Sequence, residues 1–338
     1  MGETLVDDKN QGDTTAFQYL VPDAILDSIE SQGYLCDGRF LALNSYENRV
    51  YQIGIEDDSP VIAKFYRPQR WSDAAIIEEH QLTLELAASE IPVVAPLINP
   101  QGETLHHYKH YRFALYPQKG GRTPELDNPQ QLEVIGRFLA RIHLHGEQQD
   151  FQSRPSLDIE QFGIQPSQYL LKSQLIPMEL ETSYSALIDD LIPKIRHHFE
   201  LAGAVKNIRL HGDCHPSNIL WRDGTPHIVD FDDARMGPAI QDLWMFLSGD
   251  RQYQTARLAD ILEGYTQFRD FNPRELHLIE ALRTLRMIHY AAWLAKRAED
   301  PAFQLAFPWF YTARYWDDHI LSLKEQSSAL DNPPLVWD

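Results

Sequence analysis

The first third of the chain is predicted to form short strands and one long helix. Apolar runs with strand character lie at 40–43, 50–54 and 61–66, and polar turns separate them. A helix is predicted next, with Ser72 as its N-cap and an end near Ser89. Strand character then returns at 92–98, 103–108 and 111–116. This pattern indicates a small β-rich lobe.

The rest of the chain has a helical pattern. A polar break rich in turn residues covers 118–128, and beyond it Ile135, Leu139 and Ile142 recur at three- and four-residue steps. One β-rich island, 208–231, interrupts the helical pattern. We therefore predict an α+β protein with a β-rich lobe at 1–118 and a larger helical lobe at 119–338. The further helices are predicted at 184–203, 239–248, 254–269, 275–298 and 309–325.

Composition excludes several classes of protein. Of 338 residues 43% are hydrophobic and 23% charged, which is ordinary globular usage and excludes bulk disorder. The net charge of −19 disfavours binding to nucleic acid or to anionic membranes. No apolar run approaches the roughly 20 residues that span a bilayer, and the N-terminal MGETLVDDKN lacks the features of a secretory signal. With only two cysteines, a disulfide framework is excluded, so we expect a cytoplasmic protein. We also expect a monomer.

The strongest chemical signal lies in the β-rich island. Asp213 and Asn218 are separated by four residues in a predicted loop, and Asp230 ends an apolar strand twelve residues later. Phosphoryl transfer needs such a set, because a carboxylate must orient the attacking hydroxyl and oxygen ligands must hold Mg²⁺ against the phosphates of ATP. The catalytic loop of protein kinases has the same Asp-x-x-x-x-Asn spacing. We therefore predict a magnesium-dependent phosphotransferase with ATP as co-substrate.

Two other interpretations of this island remain open. The Asp and Asn residues are also typical of turns that cap a loop. His211, Cys214 and His215 instead resemble part of a zinc site, which would need a helix through the two histidines. Gly212, and Pro216 directly after the second histidine, disfavour that helix.

A lysine and a glutamate in the first lobe are predicted to complete the nucleotide site. Lys64 lies in the otherwise apolar strand at 61–66, where a charge is costly without anionic partners such as phosphates or a carboxylate. The next helix offers Glu78 and Glu79. We choose Glu79, because it shares a helical stripe with Leu82 and Leu86. The alternative is that Glu79 lies at the rim and Lys64 extends to water.

The predicted phosphate-binding loop between the first two strands contains no glycine. It has the sequence Leu43-Asn44-Ser45-Tyr46-Glu47-Asn48-Arg49-Val50. Without glycine the backbone cannot approach phosphates as closely, so Ser45 and Asn48 are predicted to supply side-chain donors.

Taken together, these segments resemble the bacterial stress response kinase A family, within the aminoglycoside phosphotransferase and choline kinase superfamily. The resemblance implies a bilobal protein-kinase-like fold and phosphorylation of Ser and Thr in proteins. It also implies that Asp213 is the proton acceptor, that Asn218 and Asp230 hold magnesium, and that Ser45 and Lys64 contact the nucleotide. Asp242 either bonds back to the catalytic loop, as in the superfamily, or is a plain first-turn carboxylate. The segments that carry the resemblance are 43–51, 64–68, 120–122, 211–224, 241–245, 292–294 and 307–309.

The motifs leave the acceptor open. A small-molecule kinase of the choline, homoserine or aminoglycoside type would use the same catalytic residues as a protein kinase. A non-catalytic nucleotide-binding scaffold is a third possibility, which retention of Asp213, Asn218, Asp230 and Lys64 disfavours.

Overall fold

The computed structural model describes residues 16–43 and 45–337. The predicted lack of a secretory signal concerns residues outside these ranges. Among the helices in the described ranges, none is long and apolar enough to cross a bilayer.

The first part of the chain forms one antiparallel sheet, in the order β1-β2-β3-β5-β4. In the central strand, Lys64 lies opposite Val50 on one side and Ala114 on the other. The lysine therefore sits in the interior of the sheet. The strands are β1 (Cys36–Leu43), β2 (Arg49–Ile55), β3 (Val61–Phe65), β4 (His106–Tyr108) and β5 (Tyr111–Pro117).

Two helices accompany this sheet. The predicted helix is confirmed as α2 (Asp73–Ala88), and its N-cap Ser72 accepts a hydrogen bond from the Ala75 N–H at 3.2 Å. A further helix, α1 (Pro22–Glu30), was not predicted. Its fully buried Ile29 belongs to the same core as Phe65 of the sheet.

The strand predicted at 92–98 is wrong. This segment forms one isolated parallel bridge at Ile228, which accepts from the N–H of Val94 (3.0 Å) and donates to the Pro92 oxygen (2.8 Å), and one further bond from the N–H of Leu97 to the Leu115 oxygen (2.7 Å). Pro92 and Pro96 lack the N–H donors that a continuous ladder requires. The segment therefore bridges the sheet and the second part of the chain without joining either.

The second part is mainly helical, as predicted. The lobe boundary between residues 118 and 119 stays a prediction; in the structure β5 ends at Pro117 and α3 begins at Pro129. A helix at 165–172, preceded by a π-helical turn, was not predicted. The helices are α3 (Pro129–Gly146), α4 (Gln165–Lys172), α5 (Met178–Ala202), α6 (Arg251–Tyr265), α7 (Leu278–Ala295), α8 (Pro301–Ala306) and α9 (Ala313–Leu330).

The β-rich island forms two small ribbons. Strand β6 (Ile208–Leu210) pairs with β9 (Arg235–Gly237), and β7 (Ile219–Arg222) pairs with β8 (Thr225–Ile228). The helix predicted at 239–248 is wrong, because this segment forms two short 3-10 turns. Every residue from 239 to 244 is buried, so the segment lacks the solvent-facing stripe of a surface helix.

Helices α3 and α6 cross at glycines. A methyl group on Gly136 of α3 would lie 2.0 Å from the backbone oxygen of Ile261, and one on Gly264 of α6 would lie 1.9 Å from that of Glu133. Both obstacles are backbone atoms and cannot rotate away. The helices therefore need glycine at both positions to pack at this distance.

Gly136→Ala is expected to lower the free energy of unfolding by about 3 kcal/mol, because overpacking forces the helix backbones apart. Gly120→Ala is the matched control, since the nearest atom to its added methyl is the end of the Arg222 side chain at 3.7 Å. Urea denaturation measures both. Equal stability of the two variants would contradict the tight crossing.

Candidate active site

One buried carboxylate fixes the loop that follows β6. Asp242 is fully buried and accepts hydrogen bonds from the backbone N–H groups of His211 (2.9 Å) and Gly212 (2.8 Å). Nε2 of His143, on α3, lies 3.2 Å from the same carboxylate. Burial would raise the pKa of Asp242, but the hydrogen bond and charge of His143 outweigh it and lower the pKa. Asp242 thus bonds back to the loop, the first of its two predicted alternatives.

Gly212 is required by the shape of this loop. Its φ of +83° lies in the left-handed region, and a methyl group there would meet the backbone oxygen of Asp233 at 2.3 Å. The next residue, Asp213, is part-buried, and its backbone oxygen accepts a hydrogen bond from Nδ2 of Asn218 at 2.9 Å. That bond uses the amide nitrogen of Asn218 and leaves its side-chain oxygen for another ligand.

The histidines near this loop hold the backbone and do not share a helix. His211 contacts the backbone oxygen of Val229 through Nε2 at 2.8 Å and packs on Phe231 with 4.4 Å between ring centroids. Only a short 3-10 turn follows, at Pro216–Asn218. The helix that a zinc site of the His-x-x-x-His type needs is therefore not formed.

Asp230 follows β8 in a special backbone conformation. Its φ of 62° and ψ of 63° are left-handed, at the start of a 3-10 turn over Phe231–Asp233. Its side chain is 55% exposed, in contrast to the 6% of Asp232 two residues later. The turn therefore directs one carboxylate toward the open space between the sheet and the helices and buries the other.

A cavity of about 360 Å³ lies between the sheet and the β-rich island. Six residues predicted from the sequence line it: Ser45, Asn48, Lys64, Glu79, Asn218 and Asp230. A larger groove of about 490 Å³, between α5 and Pro238, contains none of them. The cavity walls also include an apolar group that consists of Val50, Ile62, Val94, Leu220 and Val229.

Lys64 is buried among three carboxylates. Its Nζ lies 3.4 Å from Glu79, 3.1 Å from Asp230 and 3.3 Å from Asp232, and the residue is only 6% exposed. Burial alone would lower the pKa of Lys64, but the carboxylates, led by Asp232, raise it well above its usual value. The choice of Glu79 over Glu78 agrees with this geometry, since Glu78 instead accepts hydrogen bonds from the backbone of 152–153.

Arginines complete the charge network around Lys64. Arg154 donates to Glu79 at 2.9 Å and to the backbone oxygens of Asp232 and Ala234, and its side chain is fully buried. Arg70 pairs with both Asp232 and Asp233, the latter at 2.9 Å. Each buried charge thus has an opposite partner, which such groups need. The network joins the sheet, α2 and the turn after β8.

The glycine-free loop is held by the far end of the chain. The Glu47 side chain accepts a hydrogen bond from Nε1 of Trp293 at 2.6 Å and pairs closely with Arg297. Tyr46 packs edge-on against Phe307, with 4.6 Å between ring centroids. Contacts from the last turn of α7 and from the segment after it therefore fix a loop that lacks glycine.

Asn48, which was predicted to donate to phosphate, has another contact. Its side-chain oxygen accepts a hydrogen bond from the backbone N–H of Arg67 at 3.1 Å, and the residue is 4% exposed. Both residues line the cavity, but Ser45 forms no such bond among the described residues. The loop geometry therefore favours Ser45 over Asn48 as a side-chain donor.

Asp213 lines a second, small cavity of about 50 Å³ and pairs there closely with Arg286 of α7 through Oδ1, while its backbone oxygen bonds to Asn218 of the first cavity. Its Oδ2 is 3.6 Å from Nε2 of His215. The sequence analysis missed Arg286, Arg154 and Glu47. Of these, only Arg286 has a weak signal in the sequence, because it is a cation on an otherwise apolar helix, next to Leu282 and Leu285, which are buried.

Known proteins resemble this chain over nearly its whole length. A family model described as "Phosphotransferase enzyme family" matches residues 39–279. Stress response kinase A of Escherichia coli O157:H7 is 45% identical over 319 residues, which cover 94% of this chain and 96% of that protein. A serine/threonine protein kinase named RdoA, from Salmonella typhimurium (strain LT2), is 44% identical with the same coverage.

Solved structures share the fold at low sequence identity. Amicoumacin kinase hAmiN, in complex with AMP-PNP, Ca²⁺ and Ami, gives a TM-score of 0.69 at 20% identity, with 92% of this chain and 94% of that one covered. The microcompartment-associated aminopropanol kinase gives 0.67 at 16% identity, with 91% and 97% covered. At these identities the likeness establishes a protein-kinase-like fold and carries nothing about substrates.

Lys64→Met and Glu79→Gln are expected to be strongly non-additive in the free energy of unfolding, with a coupling of about 2 kcal/mol. Each single change removes one charge of a directly paired, buried couple and unbalances the network around it, and the double change removes both charges together. Glu78→Gln with Lys64→Met is the matched control and should be additive. Urea denaturation of the four variants gives both cycles, and equal coupling in the two would disprove the Lys64–Glu79 pairing.

Proposed function

This chain belongs to the phosphotransferase enzyme family and to its stress response kinase A members, and from that premise we propose that it is an ATP-dependent serine/threonine protein kinase. The observation that carries the proposal is the convergence of Lys64, Asn218 and Asp230 on one cavity, with Asp213 bonded to Asn218 through its backbone oxygen. Relatives named Stress response kinase A support a role in a bacterial stress response. Cytoplasmic location and a monomeric state stay predictions.

The cavity offers both kinds of surface that a nucleotide needs. The apolar group of the cavity walls suits the adenine ring, because apolar side chains cover its faces without competing for hydrogen bonds. Lys64 lines the same cavity, where its ammonium would contact phosphate oxygens. Ser45 also borders the cavity and supplies a hydroxyl donor.

The residues present fit a magnesium ion. Asn218 has a side-chain oxygen not used within the loop, and Asp230 carries a half-exposed carboxylate. Mg²⁺ commonly binds one or two protein oxygens and completes its shell with phosphates and water. When bound there, the ion neutralises phosphate charge and orients the γ-phosphate.

Asp213 is suited to orient the acceptor hydroxyl. Its Oδ1 is engaged by Arg286, while Oδ2 lies 3.6 Å from Nε2 of His215. A serine or threonine hydroxyl can donate its hydrogen bond to Oδ2, which aims the oxygen lone pair at the γ-phosphate. The carboxylate accepts the proton as the new P–O bond forms and the bond between the γ-phosphorus and the bridging oxygen breaks, with ADP as the leaving group. Asp242 keeps the carboxylate in place through the loop backbone.

Asp213→Asn is expected to reduce kcat by about 10² to 10⁴, because the amide keeps the side-chain size but cannot accept the proton. The dissociation constant of Mg-ATP should stay unchanged. Asp223→Asn, in the exposed turn between β7 and β8, is the control and should leave both values unchanged. Phosphate transfer to casein or a serine peptide measures kcat. Near-normal turnover of Asp213→Asn would overturn the assignment of the base.

Asp230→Asn is expected to weaken ATP binding about tenfold more in magnesium than in EDTA, because the lost carboxylate charge matters chiefly when a cation is bound. Asn tolerates the left-handed conformation of this position, so the fold should be retained. Calorimetric titration with ATP in the two buffers gives the ratio. The same weakening in both would show that Asp230 serves only the Lys64 network.

A further inference from the structure

Arg286 presents an unusual positive charge directly beside the catalytic base. One nitrogen of its guanidinium pairs with Oδ1 of Asp213, and 41% of its side chain is exposed. A guanidinium carries five N–H donors, and this contact uses one of them. The remaining donors are available to an anionic group that arrives beside the acceptor hydroxyl.

The surroundings of Arg286 are more positive than the protein as a whole. Arg235 lines the same small cavity and is neutralised by Asp233, to which it donates at 2.6 Å. Lys296, at the end of α7, lies over the ring of Tyr169 at 5.4 Å and has no carboxylate partner among the described residues. Cations therefore flank the acceptor side of Asp213 in a chain whose net charge is −19.

The titration of His289 supports this charge distribution. Burial lowers the pKa of His289 to about 3, and Arg235, Lys296 and Arg286 add to the shift, against a single carboxylate, Asp233. All three cations are thus close enough to the His289 ring to lower its pKa, and His289 lines the same small cavity as Asp213. Glu299 is a nearby acid, since it raises the pKa of Tyr169, but it lies at the Lys296 end and away from the base.

We propose that Arg286 selects acceptors that carry a carboxylate next to the phosphorylated hydroxyl, so that the enzyme prefers serine or threonine flanked by Asp or Glu. This inference rests on the proposed protein kinase function and narrows its substrate class. A flanking carboxylate would form a charge-assisted hydrogen bond with the free donors of Arg286. A cationic amino alcohol would bring its ammonium toward the same guanidinium and be repelled.

Three peptides of equal length test the preference, each with one serine flanked on both sides by Asp, by Ala or by Lys. We expect kcat/KM with Mg-ATP to be about tenfold higher for the Asp peptide than for the Ala peptide, and lowest for the Lys peptide. Wild-type preference for the Lys peptide, or none among the three, would overturn the inference.

Variants of Arg286 then show which residue causes the preference. Arg286→Gln should bring the ratio of the Asp peptide to the Ala peptide to about one, Arg286→Lys should keep part of it, and Arg286→Glu should favour the Lys peptide. The ratio is the readout because any effect of Arg286 on the base itself acts on all peptides and cancels. An unchanged ratio in Arg286→Gln, with equal loss for every peptide, would overturn a specificity role.

Lys109→Glu is the matched control. Lys109 also lies over a tyrosine ring, that of Tyr108 at 4.9 Å, but in the turn between β4 and β5. In the Lys109→Glu variant, the ratio of kcat/KM for the Asp peptide to that for the Ala peptide should equal the wild-type ratio. A changed ratio would mean that overall charge rather than Arg286 sets the preference. An amino alcohol panel is assayed in parallel. Phosphorylation of amino alcohols with no peptide product would overturn the protein kinase proposal itself, an outcome distinct from a preference for the wrong peptide.

Discussion

Burying the ammonium of Lys64 is the constraint on which the rest of the site depends. In the interior of a sheet this charge is costly, and three carboxylates within 3.4 Å compensate for it. They come from α2 and from the turn after β8, so the charge can be satisfied only when the two parts of the chain meet. Arg154 and Arg70 then neutralise the surplus of negative charge. Assembly of the nucleotide site and packing of the two parts are thus one event.

The loop that carries Asp213 depends on a second buried carboxylate, Asp242, which is not among the partners of Lys64. Asp242 binds the two backbone N–H groups that precede Asp213, while His143 ties the carboxylate to α3. Asp213, the proposed base, is therefore positioned by contacts to α3 as well as by its own loop. Such contacts hold a side chain on a loop as precisely as one on a helix or strand.

The sequence was informative where the chemistry depends on spacing along the chain. The interval between Asp213 and Asn218, and the apolar stripe that selects Glu79, are local patterns, and the structure brings those residues together. Arg154 was not predictable, because its partners lie about 75 to 80 residues away and nothing local marks it. The helix prediction at 239–248 was wrong for a related reason. Residues 239–244 are all buried, so the alternation of buried and exposed positions that marks a surface helix is missing there. Long-range contacts decide both cases.

The anchoring of Glu47 has a consequence for biosynthesis. Its partners Trp293 and Arg297 follow it by 246 and 250 residues, so a ribosome must translate most of the message before the phosphate-binding loop has its supports. The antiparallel sheet can form much earlier, because its strands are neighbours in sequence. A growing polypeptide thus holds Lys64 in its sheet before Leu220 and Val229 arrive to complete the walls of the cavity, and it has those walls before the loop at Glu47 is anchored. A chain that ends before Trp293 lacks both anchors of that loop.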